Sequence, residues 1–321
     1  MKQLNEALFQ IKIPLPFPLS SICAYALKGI DGWTIIDSGL HSQETEEIWI
    51  NFLDQQNSTW SDIGKIILTH YHPDHYGAAG WLQQKSGAPV YMSKTDYQAA
   101  NLFWHHDYDM GITMQNFYLL HGMPNDLAEK MIFHLNEFLP WVHPKPRVTY
   151  LEDGDYIKLG NDDYLVIATP GHSDGHICFY QREKKILFSG DHILPKITPN
   201  ISLWPEETDR NPLKSFIASL EKIKKYEIEI TYPAHKTIIS DVYTRIKEIL
   251  IHHQERLDLV IEWIGNGATG YQVCEKMFGN NLSVHQLRFA MAESLAHLAY
   301  LEGEKRLTSK QIGNHIYWYP F

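Results

Sequence analysis

Hydrophobic positions in the first 93 residues gather into short, bounded runs: ICAYAL, WTIID after the turn from Gly29 to Gly32, KIILT just before His70, and PVYMS. Runs of that length between turn formers, rich in Ile, Val, Tyr and Trp, predict strands. Between the second and third runs, Ser42 precedes Glu44, Glu46 and Glu47, and Ile48, Trp49, Phe52 and Leu53 follow at helical spacing. A hydroxyl cap, acids at the positive end of the helix dipole and one apolar stripe predict a helix there. The alternation is that of a layered α/β structure.

Over residues 95–145 the period becomes helical, and the stripe fills with Phe103, Trp104, Tyr108, Met110, Met114, Phe117, Met123, Met131, Phe133, Phe138 and Trp141. Such an insert is either core or a lid over a site, since methionine and aromatic side chains serve both. Strand patterns resume in DYIKLGNDDYLVIATPG, a hairpin turning at Gly160-Asn161-Asp162, and in HICFYQREKKILFSGDHIL, a hairpin with the charged tip Arg182-Glu183-Lys184. A helix from Pro212 to Tyr226, the strand EIEITYP and a helix from Asp241 to Trp263 follow. Gly265-Asn266-Gly267 marks a boundary, dividing the chain into residues 1–265 and 266–321. Past it, two helices (269–278 and 283–302) and two short strands around Gly313 come in the order of a small winged helix.

Composition narrows the classes. The 321 residues are 44% hydrophobic and 21% charged, which allows a sizeable core and one large domain with an appendage. A net charge of −10 disfavours a surface that neutralises phosphates. The tail has five basic against four acidic side chains, so it lacks the basic face of a nucleic-acid binder and is expected to pack on the main domain or a second subunit. Three widely spaced cysteines, Cys23, Cys178 and Cys274, offer no disulfide framework or cysteine-based metal knuckle, and no run approaches a membrane span of roughly 20 apolar residues. The expectation is a cytoplasmic protein with no membrane association.

Four strings place polar side chains just beyond strand ends: Thr69-His70-Tyr71-His72-Pro73-Asp74-His75, Thr169-Pro170-Gly171-His172-Ser173-Asp174-Gly175-His176, Ser189-Gly190-Asp191-His192, and Tyr232-Pro233-Ala234-His235. In extended chain, His70 and His72 project to one side and can reach one cation, while Asp74 and His75, at the turn into a helix, face a second position. Strand ends hold such loops in register, and imidazole with carboxylate suits a divalent cation.

The ordered set HxHxDH, TPGHxxGH, SGD and PAH, over residues 20–240, resembles the metallo-β-lactamase-fold hydrolase superfamily, and within it the glyoxalase II-like branch and members with a C-terminal winged-helix appendage. The resemblance implies an α/β fold, a four-layer αβ/βα sandwich with the metals at one edge, here with a helical insert and a small winged-helix-like C-terminal domain. It implies that His70, His72 and His172 hold one metal, that Asp74, His75 and His235 hold another, and that Asp191 bridges them. Asp37 then orients the ligands without joining them. Two divalent ions are implied, zinc first, with iron and manganese as alternatives. Shared by two such ions, water falls from a pKa of about 16 to about 7. The expected reaction is hydroxide attack on an ester, thioester or lactone carbonyl of a small molecule, with Asp74 and Asp191 as catalytic carboxylates.

The site has Asp191 where β-lactamases of this fold commonly carry cysteine, which speaks against antibiotic hydrolysis, and a near-neutral tail, which speaks against glutathione thioesters. His176 and His192 stand beside ligands without being assigned as such, and His105, His106, His252 and His253 have no metal-binding spacing. Tyr71, Tyr76, Asn200 and Trp204 are candidate substrate contacts. Alternative readings are a metal-dependent phosphodiesterase or ribonuclease and a winged-helix nucleic-acid-binding regulator. The expected partner is a small-molecule substrate and not nucleic acid, with a homodimer left open.

Overall fold

A computed structural model of the chain describes all residues except 18 and 105–108. His105, His106 and Tyr108, named above, lie outside the described residues. The first sheet runs in chain order: β1 (Lys2–Gln3), β2 (Leu8–Pro14), β3 (Ser21–Gly29), β4 (Gly32–Ile36), β5 (Ile63–Ile67), β6 (Val90–Ser93) and β7 (Val148–Leu151). The pairs from β4 to β7 are parallel. The second sheet holds β8 (Tyr156–Leu159), β9 (Asp162–Ala168), β10 (Ile177–Gln181), β11 (Ile186–Gly190) and β12 (Ile230–Pro233) in the order β12-β11-β10-β9-β8. The β11–β12 pair is parallel and the rest antiparallel.

Strand alternation divides the interior in two. On β3, Cys23, Tyr25 and Leu27 face a core shared with Phe179 and Phe188 of the second sheet, while Ala24 and Ala26 belong to the core that contains the helices. Helices α1 (Gln43–Gln55), α2 (Pro73–Tyr76), α3 (Ala79–Ser86) and α4 (Lys94–Phe103) accompany the first sheet, with α1 against β2, α3 against β5, and α4 against β6 and β7. Ser42 caps α1 as expected, its hydroxyl accepting from the Thr45 N–H at 3.2 Å.

Among the described residues, the aromatic and methionine-rich segment contains the helices α4, α5 (Met110–Leu120) and α6 (Asn125–Asn136). Most of its stripe is core: Met114 and Met131 are fully buried, while Phe133 points outward. Helices α7 (Pro212–Ile223) and α8 (Val242–Ile264) begin at the side-chain caps Asn211 and Asp241. The tail forms α9 (Gly270–Phe278), α10 (Val284–Gly303) and a sheet β13-β15-β14 made of β13 (Ala268–Thr269), β14 (Leu307–Ile312) and β15 (His315–Pro320). Both tail helices open on the capping boxes Thr269/Gln272 and Ser283/Gln286. Helix α10 is buried from Leu287 to Leu301 except at a few positions and packs on α6, α7, α8 and α9, so the tail is joined to the main body through its most apolar element.

Strands β1, β2, β7 and β13 go beyond the sequence expectation, and the strand expected at 227–233 begins at Ile230. Lys12 alternates outward on β2 and the strand ends in proline, while β7 is an edge strand whose central residues are exposed. Neither pattern stands out from loop.

Candidate metal centre and its cavity

All the strings identified above reach one edge of the two sheets, because each follows the C-terminal end of a strand: Asp37 after β4, His70 after β5, His172 after β9, Asp191 after β11 and His235 after β12. Two triads form. The Nε2 of His70 lies 3.0 Å from Nδ1 of His72, which is 2.9 Å from Nε2 of His172. Beside them, Nε2 of His235 is 3.4 Å from Oδ2 of Asp74, and Nε2 of His75 is 3.7 Å from the same oxygen. Asp191 stands between the triads. Its Oδ1 lies 3.3 Å from His235 and 3.6 Å from His75, and its Oδ2 lies 3.5 Å from His172.

The outward nitrogens are fixed by partners that leave the inward ones bare. His172 and His235 donate from Nδ1 to the carbonyls of Asn200 and Ser21, both at 2.8 Å. His75 donates from Nδ1 to Oδ2 of Asp37 at 2.9 Å. The Thr69 hydroxyl donates to the same carboxylate and accepts from Nδ1 of His70 at 3.0 Å. Asp37 thus orients a histidine of each triad, as expected, and it does so from a left-handed backbone conformation (φ 59°) that is rare for a non-glycine residue. The inward atoms Nε2 of His75, Nε2 of His235 and Oδ1 of Asp191 are buried without a hydrogen-bond partner. Buried polar atoms that converge on one point without hydrogen-bond partners are costly unless a cation, metal ion or proton, satisfies them. The chemistry of the donor set therefore fits metal ions, in the groupings His70/His72/His172, Asp74/His75/His235 and His70/His75/Asp191.

Electrostatics divides the site. Burial and the neighbouring imidazoles hold His70 well below the usual histidine value, the neutral form a metal ligand needs. Around Asp191 burial pushes the carboxyl up, but His235 and His75 outweigh it and hold it well below the carboxylate range. Burial likewise opposes, and His75 and His235 enforce, an Asp74 value of about 2.

His176 takes no inward place. It bonds Thr169 Oγ1 at 2.8 Å and accepts the Asp191 backbone N–H at 3.2 Å, so it holds the bridging loop. Gly190, at φ +49°, is required there, since a Cβ would meet His176 Nε2 at 2.7 Å. His253 is buried against His297 and Phe216, away from the centre.

Two bracing residues escape the sequence reading. Asp96 on α4 accepts the Tyr71 N–H at 3.1 Å, the Ser173 hydroxyl at 2.6 Å and the Gly175 N–H at 2.6 Å, joining the His70–His75 loop to the His172 loop. Burial pushes Asp96 up to about 7 against these bonds. Glu293 on α10 accepts from Asn200 Nδ2 at 2.6 Å, and the Asn200 carbonyl holds His172. The S-x-x-D spacing of Ser93 and Asp96 announces a helix start, but nothing local announces a clamp.

The centre opens on a cavity of about 580 Å³ whose walls include Asp74, His172, Asp191, Phe103, Phe138 and Trp204. Of the four candidate substrate contacts, Tyr71, Asn200 and Trp204 line it, whereas Tyr76 is buried and does not. The insert therefore supplies both core and part of the cavity wall.

Residues 21–235 match the model of the metallo-beta-lactamase superfamily, and residues 257–320 match the metallo-beta-lactamase-like C-terminal domain. The chain belongs to the metallo-beta-lactamase superfamily. It is 26% identical to the probable metallo-hydrolase YqjP of Bacillus subtilis, with 98% of each chain covered. The crystal structure of a metallo-beta-lactamase family protein from Thermus thermophilus superposes with a TM-score of 0.87 at 30% identity, covering 99% of this chain and 100% of that one. An atrochrysone carboxyl ACP thioesterase of Aspergillus fumigatus is 25% identical over 69% of this chain and 53% of its own length. Among the described residues no helix is long and apolar enough to cross a membrane.

Proposed function

We propose that the protein is a dinuclear metal-dependent hydrolase acting on an ester or thioester bond of a small molecule. The observation that carries this is Asp191, which turns one oxygen to each histidine group while the inward atoms of His75 and His235 converge on it without a hydrogen-bond partner. His70, His72 and His172 would hold one ion, Asp74, His75 and His235 a second, and Asp191 both, with the imidazole and carboxylate set suiting zinc, or iron or manganese. Bound there, such ions supply Lewis acidity, polarising a carbonyl oxygen and bringing the ionisation of water close to neutral pH.

The chain's own residues do the rest. Asp74 faces the cavity as an ionised carboxylate and can accept a hydrogen bond from the attacking water, aligning its lone pair on the substrate carbonyl. Asp37, Thr69, Ser21 and Asn200 keep the imidazoles in the right tautomer and orientation. Phe103, Phe138 and Trp204 offer an apolar wall that excludes bulk water and receives an acyl chain or ring. The thioesterase relative and the probable metallo-hydrolase support this reaction class. Free, buried Cys23, Cys178 and Cys274 support a cytoplasmic setting. We also read the tail as a winged-helix-like unit that walls the cavity and does not grip nucleic acid.

The test is a panel of aryl esters, acyl thioesters, lactones and phosphodiesters assayed before and after chelation. Hydrolysis of an ester or thioester that is lost on chelation, and lost at least roughly a thousandfold in Asp191→Ala with its melting transition intact, is expected. Phosphodiester cleavage alone, or an unchanged Asp191→Ala rate, would contradict the proposal.

A further inference from the structure

One wall of the cavity is built partly by α10, and one residue there has no structural counterpart for its charge. Arg288 is only 4% exposed and lines the cavity. Its guanidinium makes no ion pair or hydrogen bond among the described residues, and its Nε is a buried donor without a partner. Three aromatic rings lie close to it, with the guanidinium carbon 4.3 Å from the centroid of Phe289, 5.3 Å from Phe138 and 5.4 Å from Trp204.

Aromatic contact of this kind recovers less than removing an unpaired charge from water costs. Burial lowers Arg288 to about 10, so the group stays charged at neutral pH. The nearby carboxylate on the same helix, Glu293, is engaged by Asn200. The main chain of Arg288 is itself held, its carbonyl accepting the Tyr118 hydroxyl at 2.8 Å. Its N–H groups, with no acceptor among the described residues, form the planar fork with which arginine pairs with a carboxylate.

We infer that the substrate carries a carboxylate that Arg288 binds while the scissile carbonyl sits at the His/Asp centre. This deepens the hydrolase reading and rests on it. The acyl part is then a chain or ring ending in an acid, an ester or thioester of a dicarboxylic acid, lying along the aromatic wall. The tail thereby gains a function, since α10 brings the anion-binding residue to a centre whose candidate ligands all lie in the first 235 residues.

The test pairs 4-nitrophenyl hexanoate with the mono-4-nitrophenyl ester of adipic acid, which differ at the far end of the chain by methyl against carboxylate. In the metal-loaded enzyme the carboxylate ester is expected to have at least a tenfold higher kcat/KM. Arg288→Gln is expected to reduce that ratio to within twofold of one, mostly through KM, and Arg288→Lys to keep part of it. A wild-type ratio near one, or a ratio unchanged in Arg288→Gln, would overturn the inference.

A calorimetric arm separates this from the hydrolase reading. Hexanoate and hexanamide are titrated into wild type, Arg288→Gln and Arg288→Lys, each first shown to melt cooperatively. Hexanoate binding weakened at least tenfold in the Gln variant, with hexanamide unaffected, sustains the inference even if neither ester is turned over. Equal hexanoate affinity in all three overturns it. If the Gln variant does not fold, the Lys variant decides, since a displaced charge is expected to weaken hexanoate and leave hexanamide alone.

Discussion

Asp96 shows how much of the site rests on one side chain that touches neither substrate nor ion. Its carboxylate accepts three donors from two loops, and two of them, the N–H groups of Tyr71 and Gly175, lie within a few residues of His70, His72 and His172. Asp96→Ala leaves these donors unpaired and is expected to weaken metal binding and kcat/KM each by roughly 10- to 100-fold, the range typical of residues that orient ligands. Asp96→Asn, which keeps one acceptor oxygen, should recover part of both. Zinc affinity by competition with a chromogenic chelator is the readout, and unchanged affinity in the Ala variant would show the clamp to be dispensable. At this scale the sequence is legible where chemistry is dense: the HxHxDH string and the residues His172, Asp191 and His235 meet as expected. Asp96 and Glu293 are lone charged residues whose partners lie far along the chain, and the Arg288 guanidinium has no polar partner among the described residues, so no spacing rule marks them.

The helices carry a second kind of buried histidine. His121, closing α5, stacks on Trp318 of β15 with ring centroids 5.2 Å apart, and His297 of α10 donates from Nδ1 to the Glu293 carbonyl at 2.8 Å. Burial lowers both to about 4. Because the unfolded chain keeps a value near 6.5, it binds more protons than the folded one between about pH 6.5 and 4. The stability from keeping these rings neutral is present above that window and lost as pH falls through it, up to about 3 kcal/mol for each. Urea midpoints of wild type should fall between pH 7 and 4.5, and His121→Phe should flatten part of that slope. A slope identical in the variant would remove His121 from the account. Element starts were legible because caps are local: Ser42, Asn211, Asp241, Thr269 and Ser283 all sit where their side chains bond the first turn. Strands β2 and β7 were not, since β2 gains its place from pairing with β3 and β7 from pairing with β6.

Across the whole molecule, two sheets present strand ends at one edge and a C-terminal helix closes the cavity those ends face. The division of labour follows from the physics of each part. Parallel strands in the first sheet and the β11–β12 pair hold ligand loops rigidly, and the tail, buried through α10, supplies a wall with a charge. The tail's order of elements was readable, but its attachment through α10 to α6, α7 and α8 was not, because a helix with polar residues interspersed and no single apolar stripe gives no direction. The central claim is that the two side-chain triads and Asp191 hold a pair of ions. Elemental analysis of the purified chain tests it most directly: two divalent ions per chain are expected, falling to one in His235→Ala, which leaves His70, His72 and His172 in place. A chain that is metal-free after purification and reconstitution, or that binds the same number of ions in His235→Ala as in wild type, would contradict it.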